Sequence, residues 1–189
     1  MFGLKGGFRY LKIVINRAFT NPLIRLSFNP SLLLCKLGWY LKFVSLTDLY
    51  IACDVSNVIL RRNKDKFSSL KNVEFKFLDL SKDYLPKGEV CFVRQVLQHL
   101  SNDAIDAFVK NLNSNRLYKY VTLTEELPNI DNFKVNLDKF SGKASRASID
   151  SGVVLHKAAF DLGFLNITDL LEVYQDEYEN IIKKTIYEF

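Results

Sequence analysis

Two carboxylates close apolar runs at matching places. Asp54 follows the run at 49–53, and Asp79 follows the run at 73–78. If each run is a buried strand, both side chains stand at a strand's carboxyl end, where open α/β sheets bind ligands. A carboxylate closing the second strand can accept both hydroxyl protons of a nucleoside ribose. One closing the third can reach an adenine edge. Aspartate also caps helices and builds turns, so neither residue alone names a site; their repetition at successive strands points to a nucleoside pocket. His99 comes soon after a third candidate strand, 90–93. Its imidazole titrates near neutral pH and suits a general base, although a histidine there can equally pack and hydrogen-bond locally. His156 lies in a late polar stretch, where it is either a substrate contact or an ordinary surface histidine.

Other chemistries are excluded by pattern. No GxSxG elbow or phosphate-binding P-loop is present. No group of His, Cys, Asp and Glu has metal-ligand spacing, so no metal is expected. Cys35, Cys53 and Cys91 are odd in number, lack CxxC spacing and sit in apolar stretches. They read as small buried hydrophobes in a reducing compartment. The net charge is +5, but the basic residues are scattered, apart from Arg61, Arg62, Lys64 and a lysine-rich N-terminus. A nucleic-acid binder concentrates them in a stripe, so the balance argues against that partner. No uninterrupted apolar leader is seen, and no window offers the ~18 apolar residues of a membrane span. The cytoplasm is the expected compartment.

These residues need elements to hold them. Residues 8–19 read as a helix, with Phe8, Leu11, Val14, Ile15, Ala18 and Phe19 on one face and Lys5, Arg9, Lys12 and Arg17 around it. Such a helix either packs its stripe on the domain or lies on a membrane surface as a peripheral contact. Asn21-Pro22 and Asn29-Pro30 interrupt the chain. From residue 31, short apolar runs alternate with helical spacing: strands at 31–35, 49–53, 73–78, 90–93 and 118–123, and helices at 56–67 and 103–112. In the second helix Ile105, Phe108, Val109 and Leu112 face the core, with Ser101 or Asn102 as its cap. Apolar strands separated by helices imply parallel pairing with both faces covered. The runs at 170–174 and 182–187, around a polar turn, suggest an antiparallel pair at the sheet edge. The expected fold is α/β, a Rossmann-like, doubly wound, mostly parallel sheet of about seven strands ending in an antiparallel hairpin. The expected division is an N-terminal helical segment at 1–28 and a single domain at 29–189. Between 125 and 165 the chain is polar and irregular, a long loop of the kind that usually carries function.

One stretch is more specific. Glu89 opens the fourth run, and Arg94-Gln95-Val96-Leu97-Gln98-His99-Leu100-Ser101 follows it. This resembles the fourth-strand motif of class I S-adenosylmethionine-dependent methyltransferases, in which an acidic residue starts the strand and Arg-(Asp/Gln)-Val-Leu-x-His-Leu-Ser comes after. The order Asp54, Asp79, Leu85-Pro86 and the run to Glu125 fits the same pattern, and the resemblance covers about residues 30–189. It implies a cofactor, S-adenosylmethionine, with Asp54 on the ribose, Asp79 and Leu80 flanking the adenine, and Arg94 and Gln95 beside the methionine end and the substrate entrance. It implies methyl transfer to a small molecule or glycan, with His99 or Glu125 to take the acceptor's proton.

The departure from the family lies in the first strand's loop. An acidic residue followed by Gly-Cys-Gly-x-Gly is expected; the aligned stretch is Leu32-Leu33-Leu34-Cys35-Lys36-Leu37-Gly38-Trp39, where only Cys35 and Gly38 match. Glycines serve there because the backbone must turn tightly and approach the cofactor closely. Gly38 is the one glycine left to do so. The sequence therefore carries two readings: an active methyltransferase with a remodelled loop, or a catalytically inactive methyltransferase-like domain that works as a binding module.

Overall fold

A computed structural model describes residues 12–16, 49–115, 117–175 and 180–189. Strands β1 (Lys12–Asn16), β2 (Tyr50–Asp54), β3 (Val73–Phe77), β4 (Val90–Arg94), β5 (Tyr120–Pro128), β8 (Asn166–Gln175) and β9 (Asn180–Glu188) form one seven-stranded sheet. Its order is β3-β2-β1-β4-β5-β9-β8, and a separate pair joins β6 (Lys134–Val135) to β7 (Ser151–Gly152). The first five sheet strands in that order pair in parallel, while β9 runs antiparallel to both β5 and β8. Helix α1 (Asn57–Lys66) links β2 to β3, and α2 (Asn102–Asn115) links β4 to β5.

Burial explains why these runs become strands. All five residues of β2 are buried, as a strand covered on both faces requires. Ile51 and Cys53 join Cys91, Val93, Val121 and Leu123 in the main core, while Tyr50 and Ala52 turn to the other face, with Val73, Phe75 and Phe92 packed against them. Helix α2 lays Ile105, Phe108, Val109 and Leu112 onto the main core, as their spacing predicts. Truncating a fully buried residue such as Phe108 to alanine would cost about 3–5 kcal/mol. Ser56 caps α1 through its hydroxyl, which accepts the Ile59 amide, and Ser101 does the same for α2 toward Ala104. Lys64 and Lys66 sit in the last turn of α1, where they complement its dipole. Among the described residues Cys53 and Cys91 are buried free thiols; burial pushes Cys53 up to about 12 and Cys91 higher still.

The N-terminal helix is corrected. Lys12–Asn16, inside the expected helix at 8–19, is a strand in the middle of the sheet, between β2 and β4. The reason lies in Ile13-Val14-Ile15. Three consecutive β-branched residues favour a strand, and the same residues happen to satisfy a helical stripe. The expected first strand at 31–35, with Gly38 after it, lies outside the described residues. No helix among the described residues is long and apolar enough to cross a membrane.

Candidate functional site

The carboxyl ends of β2, β3 and β4 carry the residues the sequence singled out. Asp54 ends β2 and is only 5% exposed, although it is a carboxylate. Its Oδ1 accepts the Ser56 amide at 2.8 Å. That bond shapes the turn from β2 into α1 and fixes the side chain at the strand end. A buried carboxylate needs such partners.

Asp79 stands two residues after β3 and is tied into its own turn. Oδ1 accepts the Ser81 amide at 3.0 Å and the Ser81 hydroxyl at 2.6 Å, and Oδ2 lies 3.4 Å from the Lys82 ammonium. Partial burial would raise its pKa, but the Ser81 and Lys82 contacts outweigh this and hold it below the usual carboxylate range. Its amide donates to Asp83 at 2.7 Å. Leu80, beside it, points into the main core.

At the end of β4, Arg94 pairs in register with Asn16 on one side and Thr124 on the other. Gln95 then takes a left-handed backbone conformation, φ 49°, with its amide bonded to the Thr124 carbonyl at 2.6 Å. A residue with a side chain is uncommon there, and such strain gathers at functional turns. It swings the chain out of the sheet and into a single 3-10 turn, Leu97–His99.

Glu125 holds that turn. Its carboxylate, almost wholly buried on β5, accepts the amides of Val96 at 3.3 Å, Leu97 at 3.2 Å and Gln98 at 2.7 Å. The Gln98 side chain reaches β5 as well, accepting the Glu126 amide and donating to the Glu126 carboxylate. His99 is 2% exposed. Its Nδ1 lies 3.3 Å from the Ala144 carbonyl and its Nε2 lies 3.4 Å from the Gln98 amide nitrogen. The His99 carbonyl accepts the Gly142 amide, which lays the 139–144 segment over it.

Arg146 is the residue the sequence did not bring forward. Fully buried, it donates to the carbonyls of Leu137 and Leu100 and to Asn102 Oδ1. One guanidinium so joins the 137–149 loop to the start of α2 and to the end of the fourth-strand motif. Its charge also favours the ionised form of Glu125. Two of its three partners are main-chain carbonyls, which leave no signature in sequence.

The structure thus brings Asp54, Arg94 and Gln95 to one edge of the sheet, with Asp79 at the neighbouring strand end. It places His99 and Glu125 beneath the surface of that edge. His156 lies apart, on the β9 side, with Nδ1 3.2 Å from the Tyr187 hydroxyl. No group of three metal-ligating side chains occurs among the described residues.

No protein-family model and no curated protein matches the chain. Solved structures do. The methyltransferase domain of bacterial CtHen1-CN aligns at 15% identity and a TM-score of 0.57, covering 94% of this chain and 89% of that one. EvdMO1 aligns at 17% identity and 0.55, covering 96% and 37%. A dimethyladenosine transferase from Plasmodium falciparum aligns at 14% identity and 0.55, covering 96% and 57%. This chain therefore spans less than two thirds of the last two. The likeness is one of architecture: the chain has the fold of the class I S-adenosylmethionine-dependent methyltransferases.

Proposed function

We propose that the protein is a methyltransferase that takes its methyl group from S-adenosylmethionine and passes it to an oxygen or nitrogen of a small molecule or glycan. We read the sheet as the doubly wound, Rossmann-like platform of that reaction. The observation that carries the proposal is Asp54: a buried carboxylate, anchored by the Ser56 amide at the carboxyl end of β2, on the same sheet edge as the strained turn after β4. That geometry suits two ribose hydroxyls.

When bound, S-adenosylmethionine supplies a methyl group already activated by its sulfonium. The protein's share is alignment and exclusion of water. Asp54 accepts the ribose hydroxyls. Asp79 borders the adenine through the turn that Ser81 and Lys82 stiffen, while Leu80 packs beneath it in the core. Arg94 and Gln95 line the entrance for the acceptor. For His99 to take the acceptor's proton, the 139–144 cover must lift, because both ring nitrogens face protein groups under it.

A second reading, an inactive methyltransferase-like binding module, is favoured by one feature. The chain after β1 runs Arg17-Ala18-Phe19-Thr20-Asn21-Pro22, and no glycine follows Gly7 until Gly38. Titration calorimetry with S-adenosylhomocysteine separates the two. One-to-one micromolar binding that Asp54→Ala abolishes supports the enzyme. No heat at millimolar ligand from folded protein overturns it and leaves the module. Micromolar binding that survives Asp54→Ala removes the ribose assignment.

A further inference from the structure

A cavity of about 470 Å³ opens on the face of β5, β9 and β8, under the segment that joins β5 to β8. That volume falls within the range of small-molecule sites, roughly 300–1,000 Å³. Leu123, Leu127 and Ile181 line it from the sheet, and Phe133, Val135 and Val153 from the covering segment.

The cover is built, not draped. Asn136, buried and in the left-handed region at φ 56°, donates to the carbonyls of Val154 and Ala158 and accepts the Val154 amide. Ser151 accepts the Leu137 amide through its hydroxyl. Gly152 lets β7 settle on the wall of the cavity: a Cβ there would stand 2.4 Å from Leu127 Cδ2 and 3.0 Å from Phe133 Cε2. Ile130 and Val135 are nonetheless exposed at the rim. Apolar side chains left open around a preformed hollow are what a ligand would cover.

The polar end of the cavity decides the ligand's chemistry. The Lys183 ammonium lies 2.8 Å from both Asp169 and Glu172, and Asp169 also accepts the Thr185 hydroxyl at 2.8 Å. Glu125 is held by three backbone amides. Asp131 and Lys157, of opposite sign, are exposed. At the Lys183 end a charged ligand would have to break the pairings with Asp169 and Glu172; a neutral one would not. His156 packs edge-on to Phe164, 6.3 Å between centroids, and bonds to Tyr187 through Nδ1. Its Nε2 makes no hydrogen bond among the described residues. Partial burial and the adjacent Lys157 charge hold the ring below its usual pKa, so it is neutral at pH 7.

We propose that this cavity binds a small neutral ligand, largely apolar in body, whose single hydroxyl meets His156 Nε2. The site lies at the carboxyl end of β5 and shares Glu125 with the grip on the β4 turn, but it does not depend on the methyl-transfer reading.

The probe pair is 4-propylphenol and its methyl ether, 4-propylanisole, titrated into the full chain without cofactor and followed by calorimetry. Saturable one-to-one binding of the phenol is expected, about tenfold tighter than the ether, as one net hydrogen bond gives. Val135→Trp should fill the mouth and weaken both by more than about tenfold. Val135 is 40% exposed, so the larger side chain does not have to enter the core. His156→Ala should bring the phenol down to the ether. Absence of phenol binding, or full affinity in folded Val135→Trp, overturns the site. A phenol preference unchanged by His156→Ala overturns the hydroxyl contact.

Discussion

Gln98 and Glu125 are bound across the gap between β4 and β5: the Gln98 amide donates to Glu125 Oε2 at 2.7 Å, and the other carboxylate oxygen takes the two preceding amides. The end of the fourth-strand motif is therefore shaped by a residue of the next strand. Its sharp exit at Gln95 and the burial of His99 follow from that grip. A single carboxylate that satisfies three main-chain donors is a costly group to lose, because each amide left unpaired in the interior carries a penalty of about 1–3 kcal/mol.

Glu125 should make stability depend on pH. Burial pushes its carboxyl up to about 8, against the three amides and Arg146, which pull it down. An acid with a raised folded pKa binds its proton more tightly when folded. Its contribution is fully present below its ordinary value of 4.5 and fades as pH rises to about 8. Glu125→Gln cannot titrate. It should lose about 1–3 kcal/mol relative to wild type near pH 5, and the gap should narrow toward pH 8.5. Urea unfolding at a series of pH values measures this. Parallel curves for the two proteins would show that Glu125 stays ionised throughout.

Arg146 should be worth more than any surface ion pair in the molecule. Arg146→Met fills the same space and leaves the carbonyls of Leu100 and Leu137 and the Asn102 side chain without their donor. Removal of one buried charged partner typically costs roughly 3–5 kcal/mol. Hydrogen exchange should quicken across 137–149 and at the start of α2, and stay unchanged in β2 and β3. A loss under about 1 kcal/mol, the range of exposed pairs, would mean that the guanidinium does not hold the loop.

Gly152→Ala tests the cover of the cavity. The added methyl meets Leu127 Cδ2 at 2.4 Å, so the leucine must move or the strand must lift. Overpacking of this kind costs about 1–3 kcal/mol. The double variant Gly152→Ala/Leu127→Ala removes the obstacle and should be destabilised by less than the sum of its two single changes. Strict additivity in thermal unfolding would place the strain elsewhere.

Much of this arrangement was legible in sequence because its signals are local. The runs ending at Asp54 and before Asp79, the stripe Ile105, Phe108, Val109 and Leu112, and the motif around His99 each speak through neighbours a few residues apart. The α/β sheet followed from their order, and the likeness to class I methyltransferases from the motif around His99. Arg146 could not be read this way, since it acts on carbonyls 9 and 46 residues distant. Nor could the turn-building role of the Asp79 carboxylate, because a ligand-binding and a turn-forming aspartate look alike until Ser81 and Lys82 are seen around it.

The first strand is where two local signals compete, and one substitution decides between them. Val14 sits between Ala52 of β2 and Phe92 of β4, paired in parallel on both sides. Proline there removes a ladder hydrogen bond and brings a ring against both neighbours, a change tolerated only at sheet edges. Val14→Pro should therefore abolish cooperative unfolding, with a loss of at least about 3 kcal/mol. In that case β1 ends at Asn16, no glycine follows in the sequence before Gly38, and micromolar binding of S-adenosylhomocysteine would have to rest on Asp54 and the β4 turn. If Val14→Pro instead folds and melts like wild type, the central place belongs to another apolar run, that at 31–35 first among them, and Gly38 returns as the hinge of the cofactor loop.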